Sequence, residues 1–429
     1  MTERTLSSEL RAQVGMRVRI AGWLHHRRRL SRVTFVLVRD RAGIAQVVAE
    51  DPEAVAAVDG LLDETVLEVE GEVVASEQAP GGAELHAPRF RVLTEPAAPP
   101  PIELHRPALK EQLPTRLDHA PVALRHPRER AKLAVSAASM AGFRAALDGL
   151  GFVEIQTPKI VRSATETGAN LFTVDYFGRP AYLAQSPQLY KQTMVGVFER
   201  VFEVGPAFRA EPHDTARHLA EYVSLDAELG FVENHETVMA VAREAVAGMA
   251  SSVRERAAEA VALLEVELPE VPAAIPVVDF PEALALAGAN AKEPDLAPAH
   301  ERALGEWARR EHGSDFLFVV GYPMEKRPFY THPDPDRPAL SRSFDLLFRG
   351  LELATGGQRL HRYEDYLAAL AASGQSAEPF EAYLEAFRHG MPPHGGFAIG
   401  LERWTAQLVG ARNLRETTLF PRDLHRLSP

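Results

Sequence analysis

One stretch of the chain, residues 202–228, constrains the fold more than any other. It reads FEVGPAFRAEPHDTARHLAEYVSLDAE, with strand-like runs on either side of a polar loop that contains Pro212. This pattern predicts a long antiparallel hairpin. A solvated hairpin tip accounts for charge within the loop, but not for Arg209 and Glu211, which follow the first apolar run directly. Because a guanidinium donates bidentately to phosphate or carboxylate, the stretch is consistent with an anion site as well as with an exposed hairpin.

The composition excludes several classes of protein. A chain of 429 residues with a net charge of −12 needs a local basic patch to bind nucleic acid. The absence of cysteine excludes disulfides, thiol nucleophiles and thiolate metal sites. The start of the chain lacks an apolar segment, and no apolar run approaches the roughly 20 residues that span a bilayer. We therefore expect a cytoplasmic protein with no signal peptide and no membrane contact.

Residues 1–98 predict a small β domain. Five short strand-like runs and one helix near residues 52–62 fit a Greek-key barrel of the OB type, although another small β domain would fit as well. The basic cluster HHRRRLSR at 25–32 lies close to Phe35. Cations beside an aromatic ring suit single-stranded nucleic acid, whereas a solvated basic turn would need no ligand.

The rest of the chain predicts a linker and a larger domain. The proline-rich stretch 99–130 predicts a hinge or linker, and residues 131–429 predict a domain with helices and strands. Within it, residues 268–320 are punctuated by proline and predict a small insertion. The polar loop 163–172 predicts a mobile lid. Residues 343–361 predict a strand followed by a glycine turn.

Three separated segments place charge at predicted strand edges. Arg209 and Glu211 belong to the hairpin, Asp345 and Glu352 to the next strand, and Arg403 to a helix start. Two arginines and two carboxylates suit a nucleoside triphosphate with Mg²⁺. On one regular strand, however, the seven-residue spacing of the carboxylates would direct them to opposite faces, so a bulge or approach from the strand end is required. Each pair alone could also be a structural salt bridge.

Together these motifs resemble the class II aminoacyl-tRNA synthetases. FRAE with RHLAE resembles motif 2, GLER resembles motif 3, and the helix and strand that end near Pro158 resemble motif 1. QSPQLYKQ, SFDLLFRGLELATGGQRLH and GMPPHGGFAIGLER are similar to the aspartyl-tRNA synthetases in their short archaeal-type form. The resemblance covers essentially the whole chain. It implies an α+β fold in which helices flank an antiparallel sheet, an N-terminal OB-fold β-barrel that binds the anticodon, and a homodimer.

The resemblance also implies a reaction and its residues. Aspartate attacks the α-phosphate of ATP, and the resulting aspartyl-adenylate transfers its aminoacyl group to tRNA without a side-chain nucleophile. Arg209 would bind the α-phosphate and Arg403 the γ-phosphate, and these two are the implied catalytic residues. The other implied ATP ligands are Glu211 and Tyr222 at the adenine, His218 facing the phosphates or the substrate, and Glu352. The implied Mg²⁺ ligands are Asp345, Glu352 and Thr355.

The resemblance assigns the amino-acid pocket as well. Lys191 and Arg359 would pair with the side-chain carboxylate of the substrate, and Gln188, Asp226 and Glu166 would surround its α-amino group. The helix positions of Gln188 and Lys191, three apart, place both on one face. A buried carboxylate needs cationic partners, whereas an asparagine pocket would leave the lysine facing an amide at a cost of several kcal/mol.

In the barrel, the resemblance implies that Phe35 stacks on the middle anticodon base, beside Arg28 and Gln46. The residues at positions 25 and 80, His25 and Pro80, resemble those of the non-discriminating enzymes of this family. These enzymes also charge the asparagine tRNA with aspartate, which is amidated later. The two anticodons differ at one base, and a single base readout is worth about 1–3 kcal/mol. The implied partners are therefore tRNA(Asp), tRNA(Asn), ATP, L-aspartate and, functionally, a tRNA-dependent amidotransferase.

Three alternatives stay open at this point. The first is an aspartyl-tRNA synthetase that charges only the aspartate tRNA. The second is a class II paralogue that does not act on tRNA, such as an asparagine synthetase, which predicts no anticodon barrel. The third is a regulatory nucleic-acid-binding protein without catalysis, which predicts broken motif arginines, although Arg209 and Arg403 are intact.

Overall fold

The computed structural model describes residues 3–31, 33–162, 171–212 and 215–428. Glu166 and most of the predicted lid lie outside these residues. The chain divides into two compact units, Met1–Arg130 and Ala131–Pro429. Among the described residues, no helix is both long enough and apolar enough to cross a membrane.

The first unit is built on a closed barrel of five strands in the order β1-β2-β3-β5-β4. The elements are β1 (Arg17–Arg29), β2 (Thr34–Arg39), β3 (Ile44–Ala49), α1 (Pro52–Val58), β4 (Val66–Ala75) and β5 (Ala83–Thr94). In β4 every second residue from Leu67 to Val73 is buried, because alternate side chains of a strand face the interior of a small barrel. Helix α1 begins where the Asp51 side chain accepts a hydrogen bond from the Glu53 amide at 2.7 Å. The predicted OB-type barrel is confirmed.

The stretch predicted as a linker belongs to the first unit and contains two short helices. These are α2 (Leu113–Asp118) and α3 (Ala120–Ala123). Pro114 and Pro121 lie in their first turns, where a missing N–H costs no helical hydrogen bond. Ile102, Leu104 and Ala123 form a small buried cluster beside them. Prolines that indicate an irregular linker therefore also begin helices here.

The second unit is built on an eight-stranded sheet in the order β12-β13-β14-β15-β16-β11-β10-β6. Its pairs are antiparallel except β12 with β13 and β6 with β10. The strands are β6 (Val153–Glu154), β10 (Arg200–Phe208), β11 (Glu221–Gly230), β12 (Val277–Asp279), β13 (Phe316–Val320), β14 (Ser343–Phe348), β15 (Leu351–Gln358) and β16 (His394–Gly400). A smaller sheet contains β7 (Ile160–Val161), β8 (Thr173–Tyr176) and β9 (Arg179–Leu183).

The helices of the second unit pack on the large sheet and on one another. They are α4 (Pro127–Gly149), α5 (Gln188–Phe198), α6 (His235–Arg256), α7 (Ala258–Leu264), α8 (Phe280–Leu286), α9 (Pro298–His312), α10 (Tyr363–Ala372), α11 (Glu381–Arg388) and α12 (Leu401–Val409). At the centre, the fully buried Trp404 of α12 donates its indole N–H to Ser139 of α4 at 2.9 Å. The α+β class and the predicted hairpin, β10 with β11, are confirmed.

The stretch predicted as a small insertion, 268–320, is built into the sheet. It supplies the edge strands β12 and β13, and the helices α8 and α9 pack against them through a buried apolar cluster. Four of the five residues of β13 are buried. The proline punctuation of this stretch therefore separates short regular elements that complete the domain.

The prediction of a single strand followed by a glycine turn over residues 343–361 is wrong, because strands β14 and β15 form a hairpin there. Its turn lies at Arg349 and Gly350, both with positive φ (49° and 72°). The predicted glycine turn at 356–357 is instead the interior of β15, where a Cβ on Gly356 would overlap the Phe344 ring. These glycines permit close strand packing and not a change of direction.

Candidate active site

A cavity of about 280 Å³ opens where the two hairpins meet the start of α12. Its walls come from the β10–β11 hairpin, the β14–β15 hairpin, the ends of α5 and β16, and the loop between β13 and β14. The site residues expected from the sequence that line it are Gln188, Arg209, Glu211, His218, Tyr222, Asp226, Glu352, Thr355, Arg359 and Arg403. Residues more than two hundred positions apart in sequence therefore share one cavity.

Two arginines define one end of the cavity. The Arg209 guanidinium carbon lies 5.5 Å from the centre of the Tyr222 ring, and the Arg209 amide donates to the Ala220 carbonyl at 2.9 Å, which extends the hairpin. Arg403 is in the first turn of α12 and donates to the Glu352 carboxylate at 3.0 Å and to the Glu352 carbonyl at 3.1 Å. This end combines cations with an aromatic face, as a bound nucleotide requires.

The two predicted metal-binding carboxylates lie on neighbouring strands. Asp345 is opposite Thr355 in the β14–β15 register, and the register shifts between Leu346 and Leu347. The Thr355 hydroxyl lies 3.4 Å from a Glu352 carboxylate oxygen. The hairpin and its irregularity thus resolve the seven-residue spacing, because antiparallel neighbours can bring both carboxylates to the same face.

The electrostatics of this carboxylate pair are uneven. Burial raises the pKa of Asp345 to about 6; Arg327, which donates to both its oxygens at 3.3 Å, opposes the rise and Glu352 adds to it. Burial favours a higher pKa for Glu352 too, but Arg403, Arg327 and Arg209 outweigh burial and hold this pKa below its ordinary value. Two adjacent carboxylates and a hydroxyl, one of the carboxylates costly to ionise, fit the hard oxygen donors that Mg²⁺ takes.

The other end of the cavity contains a buried ion-pair network. Arg359 lines the cavity, and its Nε donates to Glu228 at 3.0 Å. Lys191 is only 1% exposed and lies behind the cavity wall. Its ammonium is 2.9 Å from Asp226, 3.4 Å from Glu228 and 3.2 Å from the Phe397 carbonyl oxygen. The three N–H donors of the lysine are therefore directed to protein acceptors, and Arg359 is the cation that faces the chamber.

Glu228 was not among the site residues expected from the sequence. It is 0% exposed, and burial favours its neutral form, but Arg359 and then Lys191 outweigh burial and hold its pKa below the ordinary value. Gly396 of β16 leaves the room that its carboxylate needs, because a Cβ there would overlap a Glu228 oxygen. The alternation of Asp226 and Glu228 along β11 was a usable signal, since residues two apart share a face.

A group of hydrogen-bonded polar side chains lies behind the ion-pair network. The sequence did not predict it, because no local pattern indicates these contacts. The side-chain oxygen of Gln192 accepts from the hydroxyls of Tyr366 at 3.0 Å and Tyr383 at 2.8 Å. It also lies 3.1 Å from Nε2 of His394, whose pKa burial lowers to about 4, so this histidine is neutral at pH 7. These contacts join α5, α10 and α11 behind Lys191, and so hold the helix that carries it.

Three further lining residues were also missed. Arg327 and Tyr330 come from the loop between β13 and β14, whose proline-rich sequence predicts no site. Glu402, next to Arg403, is buried and accepts from the Val223 amide at 3.1 Å, and burial raises its pKa to about 7. Only the tertiary fold brings these groups to the chamber.

In the first unit, the residues expected to contact the anticodon divide into two groups. Arg28 and Phe35 are paired across β1 and β2, and Gln46 of β3 is partly exposed and donates to Glu84 at 2.7 Å. Cross-strand partners lie on the same face of a sheet, so Arg28 and Phe35 form a common surface. Pro80 is exposed at the start of a short 3₁₀ turn.

His25 differs from these residues. It lies where the β1–β2 register shifts between Leu24 and His26, and it is only 5% exposed. Its Nδ1 is 3.3 Å from the Arg39 guanidinium, and burial, with Arg39, lowers its pKa to about 4. Arg39 in turn pairs bidentately with Glu64 at 2.7 and 2.8 Å. An effect of His25 on a bound base would therefore pass through this buried group.

Comparisons with known proteins agree with this geometry. Residues 112–424 match the model of tRNA synthetases class II (D, K and N), and residues 18–93 match the OB-fold nucleic acid binding domain. The chain is 48% identical to Aspartate--tRNA(Asp/Asn) ligase of Thermus thermophilus, over 99% of this chain and 100% of that protein. It is 45% identical to the protein of the same name from Deinococcus radiodurans, and this match covers 100% of this chain and 99% of that protein.

A solved structure supports the same assignment. The crystal structure of asparaginyl-tRNA synthetase from Pyrococcus horikoshii with asparaginyl-adenylate matches with a TM-score of 0.92 at 32% identity, and the match covers 100% of both chains. With the barrel, the sheet and the charged cavity in place, the chain belongs to the class II tRNA synthetases of the D, K and N type.

Proposed function

We propose that the chain ligates L-aspartate to tRNA in an ATP-dependent reaction through aspartyl-adenylate. The observation that carries this proposal is the polarity of the cavity. Arg359 and the network behind it form an end suited to an amino acid with a carboxylate, and Arg209, Tyr222 and Arg403 form an end suited to a nucleotide. The relatives named Aspartate--tRNA(Asp/Asn) ligase support the same substrate.

In this proposal, catalysis is positioning and charge neutralisation. Tyr222 offers its ring to the adenine, Arg209 binds the α-phosphate, and Arg403 binds the far end of the triphosphate. Asp345, Glu352 and Thr355 would hold Mg²⁺, which neutralises phosphate charge when bound. The α-carboxylate of aspartate then attacks the α-phosphorus of ATP, and pyrophosphate leaves. The protein therefore needs no nucleophile of its own.

Selectivity for aspartate would rest on the balance of charge around Arg359. Asp226 and Gln188 line the cavity near it and suit the α-ammonium group of the substrate. Arg359 suits the side-chain carboxylate, and Lys191 contributes from behind by compensating Asp226 and Glu228. An amide in place of the substrate carboxylate would leave Arg359 with Glu228 as an anion but with none from the chamber side, which disfavours asparagine.

The decisive experiment is aspartate-dependent exchange of pyrophosphate into ATP. We expect exchange with aspartate and not with asparagine or lysine, and we expect Arg403→Gln to lower it by about 100-fold or more, because a preorganised cation at developing charge is lost. Arg412→Gln is the matched control, since Arg412 is exposed and follows the same helix. Absence of exchange with any amino acid would leave only a binding function.

We further infer that both tRNA(Asp) and tRNA(Asn) are substrates. The names of the two relatives support this breadth, as do His25, held next to Arg39, and the exposed Pro80. The aspartyl-tRNA(Asn) product would need a tRNA-dependent amidotransferase. Charging of the two purified tRNAs, measured in parallel, separates the alternatives, because no aspartate on tRNA(Asn) would mean a discriminating enzyme.

A homodimer is part of the same proposal. Strand β6 is at an edge of the large sheet, and its residue Val153 is 41% exposed. Ile160 in the following strand, β7, is 50% exposed. Exposed apolar residues on an edge strand suit an interface with a second copy. Light scattering of the purified chain should give twice the mass of 47.1 kDa, and Val153→Glu should reduce it towards the monomer.

A further inference from the structure

Outside the cavity, three potential metal ligands meet in the first unit. His26 lies in β1, Asp63 lies between α1 and β4, and His105 follows β5 in the stretch predicted as a linker. One ligand atom from each residue lies within 4.8 Å of the others. This cluster has no part in the proposed reaction, and it brings together three separate segments of the unit.

Its geometry is compact. Nδ1 of His26 lies 3.7 Å and Nδ1 of His105 lies 3.8 Å from the same Asp63 oxygen, Oδ2. The two imidazole rings stack at 4.1 Å between centroids with 16° between their planes. Both Nδ1 atoms therefore approach one carboxylate oxygen from nearly parallel rings.

Direct hydrogen bonds do not account for this arrangement. Distances of 3.7 and 3.8 Å are beyond the range of an N–H···O bond. Both Nδ1 atoms are shielded from solvent, and neither has a hydrogen-bond partner among the described residues. Two charged rings in a stack would repel each other, and an Nδ1–H on a neutral ring would lie too far from the Asp63 oxygen for a hydrogen bond. A cation between the three atoms removes both conflicts.

We propose that His26, His105 and Asp63 bind a Zn²⁺ ion through the two Nδ1 atoms and a carboxylate oxygen. Bonds of about 2.0–2.2 Å in a tetrahedral site place ligand atoms about 3.3–3.6 Å apart, close to the 3.7 and 3.8 Å that separate the two Nδ1 atoms from Asp63 Oδ2. Because an imidazole lone pair lies in the plane of its ring, one ring must also rotate out of the stack for both Nδ1 atoms to reach the ion. Imidazole ligands favour zinc over Mg²⁺ and Ca²⁺, which take oxygen. The fourth position is left for water.

The site is accessible and has a structural consequence. The side chains of His26, Asp63 and His105 are 38%, 37% and 24% exposed, so an ion can enter from solvent. Because His105 follows the last barrel strand, the ion would tie the stretch after β5 to β1 and to the loop before β4. Bound metal therefore stabilises the first unit independently of the reaction proposed for the second.

The test is titration of the full-length chain, stripped with a chelator, with Zn²⁺ in the presence of millimolar Mg²⁺, followed by calorimetry. We expect one Zn²⁺ per chain, with affinity weakened at least about tenfold in His105→Ala and in Asp63→Asn. His86→Ala is the matched control, because His86 is a partly exposed histidine of the same barrel that pairs with a single carboxylate, Glu84. Its affinity should equal that of the unmodified chain.

A second measurement separates loss of the site from loss of folding. Co²⁺ in place of Zn²⁺ should give the intense visible absorption of a tetrahedral ion, which disappears in His105→Ala and persists in His86→Ala. Pyrophosphate exchange by the same variants reports whether the chain is folded. No Zn²⁺ binding, or equal binding by His105→Ala, Asp63→Asn and the unmodified chain, would overturn the proposal, whatever the exchange activity.

Discussion

Replacing Glu228 by glutamine tests the buried ion-pair network behind the cavity. The substitution preserves the shape of the side chain and removes its charge. Glu228 is 0% exposed, lies 3.0 Å from Nε of Arg359 and is 3.4 Å from the Lys191 ammonium. With glutamine, Lys191 would keep Asp226 but lose its second anion, and Arg359 would lose the anion at its Nε, so both the stability of the fold and the orientation of Arg359 should suffer.

The expected magnitude follows from the burial of these charges. Removing one partner of a buried pair costs about 3–5 kcal/mol, because the remaining charges stay in a low-dielectric interior without compensation. Equilibrium unfolding in urea at pH 7 should therefore show a loss of this order in Glu228→Gln. Arg359 would face a neutral amide in place of the anion that its Nε contacts, so the KM for aspartate should also rise, while the KM for ATP should change little.

The pH dependence makes this prediction sharper. The pKa of Glu228 in the folded chain lies below the ordinary value of 4.5. Its stabilising effect is therefore complete above about pH 4.5 and is lost as the pH falls through the folded pKa. The difference in unfolding free energy between the unmodified chain and Glu228→Gln should be constant from pH 5 to 7 and should shrink at lower pH.

The control is Glu233→Gln, which removes an exposed carboxylate shortly after the same strand. It should change stability by less than about 0.5 kcal/mol. If Glu228→Gln lost less than about 1 kcal/mol at pH 7, or kept the aspartate KM of the unmodified chain, Glu228 would not be compensating the two cations, and our account of the network would be refuted.

Three further predictions concern the cavity. Burial raises the pKa of Asp345 from 3.8 to about 6, so ionising this carboxylate disfavours the folded state as the pH rises through this range. Asp345→Asn should therefore increase the free energy of unfolding at pH 7.5 by about 1–3 kcal/mol and lose that advantage near pH 4. The same substitution should abolish pyrophosphate exchange. Gly396→Ala would overlap the Glu228 carboxylate and should cost about 3 kcal/mol or more, measured as a fall in Tm; unchanged Tm would contradict the close packing. Tyr222→Leu removes the ring next to Arg209 and should raise the KM for ATP about five- to thirtyfold, whereas Tyr222→Phe should not.

Local patterns were sufficient for much of this fold. Alternating apolar residues around a polar loop predicted the β10–β11 hairpin, and short strands with turn signals predicted the barrel, because side-chain alternation is set by the strand itself. Charge directly after an apolar run identified Arg209. The position of Arg403 in a first helical turn was equally local, since the helix start is encoded in neighbouring residues.

The patterns failed where the meaning of a residue depends on a distant neighbour. Gly356 reads as a turn, yet it is a strand residue because the Phe344 ring occupies the space of its side chain. Proline at 114 reads as a linker, yet it begins a helix. Arg327 lies outside every motif, 18 residues before Asp345, and reaches it only through the fold of the β13–β14 loop.

The sequence by itself therefore determined the barrel, the α+β class and the charged groups available for chemistry, because these depend on neighbours along the chain. The tertiary structure decided which of those groups face the cavity. It placed Arg359 on the wall and Lys191 behind it, with Glu228 between them. It also brought Asp345 and Glu352 to adjacent strands. The physical reason is that the cost of burying a charge depends on its partners, and these come from strands and helices far apart in sequence.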